Sequence, residues 1–244
     1  MLPRTNRFLA RLGDEIDLIR PHLREIVLKP GQVLYEPGDE VSRVYFLHDG
    51  MISKLAVFED GTEIECALVG REGAIGATAA LGLKTSVTRD VCHVRASASV
   101  LDVSVLERAA ARSQHVHGVI DRYCAWKMAY VIRNGACNAR HSVEQRLCRW
   151  LLSCSDVLEQ RQIDLRQDVF AKMLGVQRTT ISPILQRFRA EGLIALGRGR
   201  VTLLDRGLIR ERTCECYQAM REAEENMLAP VARRPSRSFA PPPP

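Results

Sequence analysis

The sequence predicts an α+β protein built from an N-terminal antiparallel β jelly-roll barrel, a long helix and a C-terminal winged helix-turn-helix. Three observations carry that prediction. Short β-type runs recur from residue 26 to 105, separated by the turn formers Pro30-Gly31, Pro37-Gly38-Asp39, Asp49-Gly50 and Asp60-Gly61. An apolar stripe at alternating spacings of three and four runs through residues 114–139. From residue 166 two short helical patterns meet at Gly175, and alternating apolar residues then flank a Gly-Arg-Gly turn at 197–199.

In chain order, Phe8, Leu9, Leu12, Ile16 and Ile19 are spaced as an amphipathic helix within residues 1–22, ending before Pro21. Residues 23–113 hold the barrel, with residues 87–94 and 98–105 as its closing strands. Residues 114–140 form the long helix. Its stripe of Val116, Val119, Tyr123, Trp126, Tyr130 and Cys137 suits two helices packing side by side, which makes it the expected homodimer interface. The same stripe could instead cover the chain's own barrel, but Ile120, Cys124 and Met128 offer a second apolar face for that purpose.

Residues 141–212 carry the DNA-binding domain, in which residues 143–158 form a scaffold helix through Leu147, Trp150, Leu151, Cys154 and Leu158. Phe170, Ala171 and Leu174 then lead into Gly175, which can take the left-handed backbone of a tight corner. Ile181, Ile184, Leu185 and Phe188 recur at helical spacing, so the second helix turns Gln177, Arg178, Thr179 and Ser182 outward. Arginine can bond guanine through two parallel donors, so Arg178, with Thr179 and Ser182, is expected to read bases of double-stranded DNA. Thr180, with Arg198 and Arg200 of the wing, is expected to hold phosphates. Residues 213–228 form a final helix, and the proline-rich residues 229–244 a disordered tail.

Composition supports the same division. Of 244 residues 46% are hydrophobic and 26% charged, which indicates a folded chain. Residues 1–138 hold 17 basic and 17 acidic side chains, residues 139–212 hold 14 and 8, and residues 213–244 hold four of each. The whole net charge of +6 therefore falls on the helix-turn-helix segment, where phosphate neutralisation requires it. No apolar run reaches membrane length and the N-terminus lacks a signal-peptide core, so a cytoplasmic protein with no membrane partner is expected. The eight cysteines are scattered, and Cys214-Glu215-Cys216 lacks a second ligand pair in the sequence; no metal and no cofactor are expected. No nucleophile–base pair or phosphate loop suggests an enzyme.

The stretch KPGQVLYEPGDEVSRVYFLHDGMISKL, residues 29–55 with glycines at 31, 38 and 50, resembles the cyclic-nucleotide-binding domain. Followed by a long helix and a winged helix, residues 20–210 resemble the Crp/Fnr superfamily of bacterial transcription regulators. That resemblance implies a homodimer reading an inverted repeat, an effector in the barrel, and RNA polymerase as a possible partner. The chain departs from the family pattern at the effector site. Where members that bind cyclic AMP place a glutamate, this chain has Ala77, and their arginine–serine pair falls on Asp90 and Val91. An aspartate repels a phosphate, so cyclic AMP bound in the family's manner is not expected, and the effector is left unassigned.

In the recognition helix Arg178 matches the family's base-reading arginine, Thr179 replaces a glutamate, Gln177 replaces a capping serine, and Pro183 stands in place of a second arginine. The competing reading is a ligand-binding regulatory or interaction protein whose helix-turn-helix no longer contacts DNA.

Overall fold

A computed structural model of the protein describes residues 6–228. The chain begins with one helical turn, α1 (Arg7–Ala10), capped by Asn6, whose side-chain oxygen accepts from the Leu9 amide. Its side-chain nitrogen donates to the carbonyls of Leu47 and Gly73, at 2.8 and 2.7 Å, and ties the turn to the barrel. Two 3-10 segments, Gly13–Leu18 and Arg20–His22, replace the longer helix expected here. Gly13 adopts a left-handed backbone and Pro21 lacks an amide, so an unbroken helix is not available. The apolar set Phe8, Leu9, Leu12, Ile16 and Ile19 is nonetheless buried throughout.

Eight strands follow: β1 (Arg24–Leu28), β2 (Val33–Tyr35), β3 (Arg43–Leu47), β4 (Met51–Val57), β5 (Glu63–Val69), β6 (Ala74–Ile75), β7 (Arg89–Val94) and β8 (Ala96–Asp102). They pair into two four-stranded antiparallel sheets, ordered β1-β8-β3-β6 and β2-β7-β4-β5, which share a core but do not close into one barrel. Gly50 shows why the turn glycines matter. Its φ is +73°, and a Cβ there would lie 2.4 Å from the Arg95 carbonyl oxygen. The expected last strand, 98–105, ends early because Val103 opens helix α2 (Val103–Arg112).

Helix α3 (Gln114–Arg140) is capped by the Ser113 hydroxyl. It buries the stripe assigned from sequence to the dimer interface: Val116, Val119, Tyr123, Trp126, Tyr130 and Cys137 are 0–9% exposed within the single chain. That assignment is corrected by what they touch. The Tyr123 hydroxyl donates to the Ala74 carbonyl at 2.7 Å and accepts from the Ala74 amide, while Tyr130 packs with Ala67 and Met220. Lys127, between them, lies 4.2 Å over the Trp126 ring and donates to the Leu68 carbonyl at 2.7 Å. Large aromatic surface is what a chain first buries in its own core.

Two residues along an α-helix are about 200° around it. The stripe displaced by two, comprising Ala125, Met128, Ile132, Gly135 and Ala139, is exposed, with Met128 and Ile132 at 63% and 65%. Val131 beside it is 41% exposed. Met128, assigned from sequence to the inward face, therefore belongs to the outward one.

The C-terminal part comprises α4 (Val143–Leu158), β9 (Gln162–Ile163), α5 (Gln167–Met173), α6 (Arg178–Ala190), β10 (Ile194–Gly197), β11 (Arg200–Leu203), α7 (Arg206–Glu211) and α8 (Cys216–Leu228). Ser142 and Gln145 form a capping box that starts α4. The final helix expected over residues 213–228 starts at Cys216, and a short helix, α7, precedes it. The expected tail, residues 229–244, lies outside the described residues.

This part is not a separate body on a string. Met51, Leu55, Leu68 and Val91 of the barrel share one apolar core with Trp150, Phe170, Ile181 and Phe188. At its edge Glu65 of β5 is buried, accepting from the Ser53 hydroxyl at 2.7 Å and from the Trp150 indole at 2.8 Å. Asn134 of α3 donates to the Glu65 carbonyl at 2.8 Å and accepts from buried Arg149 of α4 at 2.7 Å.

Burial lifts the Glu65 carboxyl to about 7 from an ordinary 4.5, against the opposing pull of its two hydrogen bonds and of Arg149 and Lys127. The folded chain therefore holds a proton that the unfolded chain releases. This contribution to stability is complete below the unfolded value and is lost as pH rises through the folded one. Glu65→Gln cannot ionise and keeps an acceptor for Trp150. In thermal melts it is expected to exceed the parent by several degrees at about pH 8 and to match it at about pH 5. Equal differences at both pH values would mean that Glu65 does not titrate in this range.

Candidate nucleic-acid interface

The helix-turn-helix forms where the sequence places it. Phe170, Ala171, Leu174, Ile181, Leu185 and Phe188 are buried, and Trp150 of α4 meets Phe170 edge-on with ring centroids 5.2 Å apart. Val176 and Ile184 are partly buried against the same core. Gly175 makes the corner with φ +60°, and a Cβ there would lie 2.9 Å from the Ile64 side chain of β5. The corner therefore needs glycine twice, for backbone conformation and for its close approach to the barrel. Beside it Lys172 Nζ lies 3.3 Å from Glu63 of β5.

Helix α6 opens with Gln177, Arg178, Thr179 and Thr180 all exposed. Gln177 is the N-cap residue but makes no side-chain cap hydrogen bond, and the first turn holds no acidic residue. Free amides and the positive end of the helix dipole thus face outward unshielded, a disposition that suits phosphate. Arg178 has no ion-pair partner among the described residues and is free to reach a base edge. Ser182 is half-buried, and its hydroxyl donates to the Arg178 carbonyl at 3.0 Å, so its base-reading assignment competes with a bond inside the helix. Pro183 removes the amide donor of the same turn, yet α6 runs unbroken from Arg178 to Ala190.

The wing is a two-residue hairpin whose register pairs Gly197 with Arg200, leaving Arg198 and Gly199 at the tip. Gly199 has φ +71°. Strand β9, not anticipated from sequence, adds a third strand by pairing Ile163 with Val201. Arg198 and Arg200 are both exposed. Arg200 Nε lies 3.5 Å from Asp164 with both side chains more than half exposed. Such a surface pair is worth roughly 0–1 kcal/mol and yields readily to a phosphate. Further along α6, Arg187 is engaged with Glu144 and Glu191, whereas Arg189 is exposed and adds to the basic face.

The barrel's effector region differs from a phosphate-binding slot. Asp90 is 1% exposed, accepting from the Thr88 hydroxyl at 2.8 Å and paired with Lys54 Nζ at 2.6 Å. Arg89, one residue earlier, faces the other way and pairs with Glu36 and Glu63. Ala77, at the family's glutamate position, is buried and apolar. His93 on the same strand is pushed down to about 4 by burial, so it is neutral near pH 7. A cavity of about 400 Å³ lies elsewhere, between the barrel, α3 and α8. Its charged walls pair with each other: Lys127 with Glu72, Arg71 with Glu159, Arg221 with Asp156.

One grouping was missed from the sequence. Cys137, His141, Cys214 and Cys216 bring their ligand atoms within 4.8 Å of one another, so the fold gives Cys214-x-Cys216 a second pair of possible ligands that the sequence did not show. The available signal was Cys137 and His141 four apart at a helix end, opposite Cys214-x-Cys216.

Comparison with known proteins agrees with this architecture. Residues 25–112 match the cyclic nucleotide-binding domain family and residues 145–212 the Crp-like helix-turn-helix domain family. The global nitrogen regulator of Synechococcus elongatus is 26% identical over 192 residues, covering 72% of this chain and 83% of that protein. FixK2 from Bradyrhizobium japonicum superposes with a TM-score of 0.69 at 16% identity, over 79% of this chain and 98% of that one. A CRP-family transcriptional regulator from Thermus thermophilus does so with a TM-score of 0.66 at 22% identity, over 77% and 95%. These two likenesses establish the fold, while the two family matches, in this order along one chain, establish its kind. The chain is a transcription regulator of the Crp/Fnr family, with a cyclic-nucleotide-binding domain joined by a long helix to a Crp-like DNA-binding helix-turn-helix.

Proposed function

We propose that the protein acts in the cytoplasm as a homodimer that reads an inverted-repeat operator, without cyclic AMP bound in the family's manner. The observation that carries the DNA-reading role is the opening turn of α6: Arg178, Thr179 and Thr180 exposed together, with no acidic side chain beside them. Arg178 reads bases with Thr179, and Ser182 joins them only by giving up its bond to the Arg178 carbonyl. Thr180, Arg198 and Arg200 hold phosphates. Two such helices in one dimer would meet half-sites about one DNA turn, roughly 34 Å, apart. RNA polymerase is the natural further partner of a regulator so placed on DNA.

The dimer seam is the outward stripe of α3 through Ala125, Met128, Ile132, Gly135 and Ala139. Its spacings of three and four are those of a coiled-coil seam, and small residues at 125, 135 and 139 let helices approach closely. Independence from cyclic AMP rests on Asp90, whose buried carboxylate already holds Lys54 where a phosphate would need a cation of its own.

Two measurements test these roles. In titrations against DNA fragments recovered from the native host, Arg178→Ala should lose about 10-fold or more of its preference for operator over scrambled sequence. Arg198→Ala should instead weaken both DNAs alike and lower the slope of log affinity against log salt by about one. Affinity indifferent to salt in the parent protein would overturn the DNA reading altogether. In light scattering coupled to gel filtration, Ile132→Glu should convert a dimer to a folded monomer. A dimer that persists would place the seam elsewhere.

A further inference from the structure

We propose that Cys137, His141, Cys214 and Cys216 form a mononuclear zinc site that fastens the start of α8 to the end of α3. The proposal goes beyond DNA reading and does not depend on it. It begins with placement: Cys137 and His141 are four apart, so they share one helix face, and His141 is the C-cap of α3 with an extended backbone. Cys214 lies in the break between α7 and α8, and Cys216, one residue past Glu215, opens α8. The fold brings these pairs together across more than seventy residues of sequence.

The distances suit one ion. With zinc–sulfur bonds of about 2.3 Å, a tetrahedron places its sulfurs roughly 3.8 Å apart. Cys137 Sγ and Cys214 Sγ are 3.5 Å apart, Cys216 Sγ and His141 Nδ1 are 3.8 Å apart, and all four ligand atoms fall within 4.8 Å of one another. An iron–sulfur cluster spreads its ligands over two or more irons, and this grouping is too tight for that. Three cysteines and one histidine form a ligand set typical of structural zinc.

The surroundings support the same assignment. The three cysteines are 0–3% exposed and pack with each other as a cluster apart from the main apolar cores. His141 turns Nδ1 toward Cys216, while Nε2 lies 3.1 Å from the Glu215 carboxylate. A carboxylate behind a ligating histidine fixes its tautomer and orientation. Zinc with three thiolates and a neutral imidazole carries a net charge of −1, the thiols having released three protons to solvent. Arg149, only 2% exposed, is within electrostatic reach of Cys137 and Cys214, and Arg146 within reach of Cys137. Those guanidiniums, each with a buried Nε that makes no hydrogen bond, are the countercharge such a centre needs. A disulfide between Cys137 and Cys214 would account for neither Cys216 nor His141.

The test uses the full chain, expressed without a metal-affinity tag. Elemental analysis is expected to find about one zinc per chain. Cobalt(II) added after chelation should give the visible bands of a tetrahedral ion and thiolate charge-transfer absorption. Cys66→Ser, outside the cluster, should leave both unchanged, whereas C214S/C216S should abolish them. If that double variant does not fold, His141→Ala decides in its place, with zinc affinity lower by more than about 10-fold in competition with a chromophoric chelator. Removing zinc should lower the melting temperature by several degrees, and adding it back should restore it. Protein that carries no zinc and gives no thiolate–cobalt spectrum overturns the proposal. So does iron with inorganic sulfide at this site, or a Cys137–Cys214 disulfide found by peptide mapping.

Discussion

The position of the second helix of the helix-turn-helix depends on one buried junction, where Glu65 of the barrel accepts hydrogen bonds from Ser53 of its own sheet and from Trp150 of the scaffold helix. A carboxyl group away from water must be neutral or fully bonded, and here both of its oxygens are occupied. Trp150 in turn presses edge-on against Phe170 of the first helix-turn-helix helix, so two contacts connect a barrel strand to the corner that aims α6. Asn134 and Arg149 extend the junction to the long helix. The apolar core around it joins Met51, Leu55, Leu68 and Val91 of the barrel to the core of the DNA-binding part. A displacement of strand β5 has to be accommodated by α4, α5 or both, because close-packed interiors do not absorb a shift locally.

The same strand holds the corner from outside the core. Ile64 fills the space beside Gly175, and Glu63 bridges Arg89 of the barrel and Lys172 of α5. Three consecutive residues of β5 thus reach the C-terminal part, Glu63 at α5, Ile64 at the corner glycine and Glu65 at Trp150 of the buried junction. Arg89 is occupied by this bridge and by Glu36, and Asp90 next to it holds Lys54. Arg89 and Asp90 are therefore committed to ion pairs within the two sheets, and only Glu63, through Lys172, carries this network to the C-terminal part.

Much of this was legible from sequence because it is local. The glycines at 31, 38, 50 and 61 all adopt positive φ, as their turn pairs predict, and Gly175 and Gly199 do the same at the corner and the wing. Burial of Ile181, Leu185 and Phe188 follows from helical spacing alone. The face of α3 was not legible, since heptad spacing is satisfied equally by the aromatic stripe and by the stripe two residues further on. Side-chain size was the missing signal: Tyr123, Trp126 and Tyr130 offer far more apolar area than Ala125, Gly135 and Ala139, and the larger area went to the chain's own core. Glu65 with Trp150, and Cys137 with Cys214, are long-range pairs that no local period encodes.

The two faces of α3 explain why a chain of this size needs so long a helix. Its inner face packs into the core of the two sheets through Val116 and Tyr123, meets Met220 of α8 through Tyr130, and reaches the C-terminal cysteines through Cys137. Its outer face exposes the stripe through Ala125, Met128, Ile132, Gly135 and Ala139, the seam of the proposed dimer. A helix with one apolar face could cover the strands but could not also serve the proposed dimer seam. At its far end only His141 and Ser142 separate α3 from α4, and each is held, His141 by Glu215 and the cysteine cluster, Ser142 by the capping box with Gln145. The connection from α3 to α4 is therefore short and fixed at both residues. In the proposed dimer, the spacing between the two recognition helices would then depend on how two α3 helices pack rather than on a flexible linker.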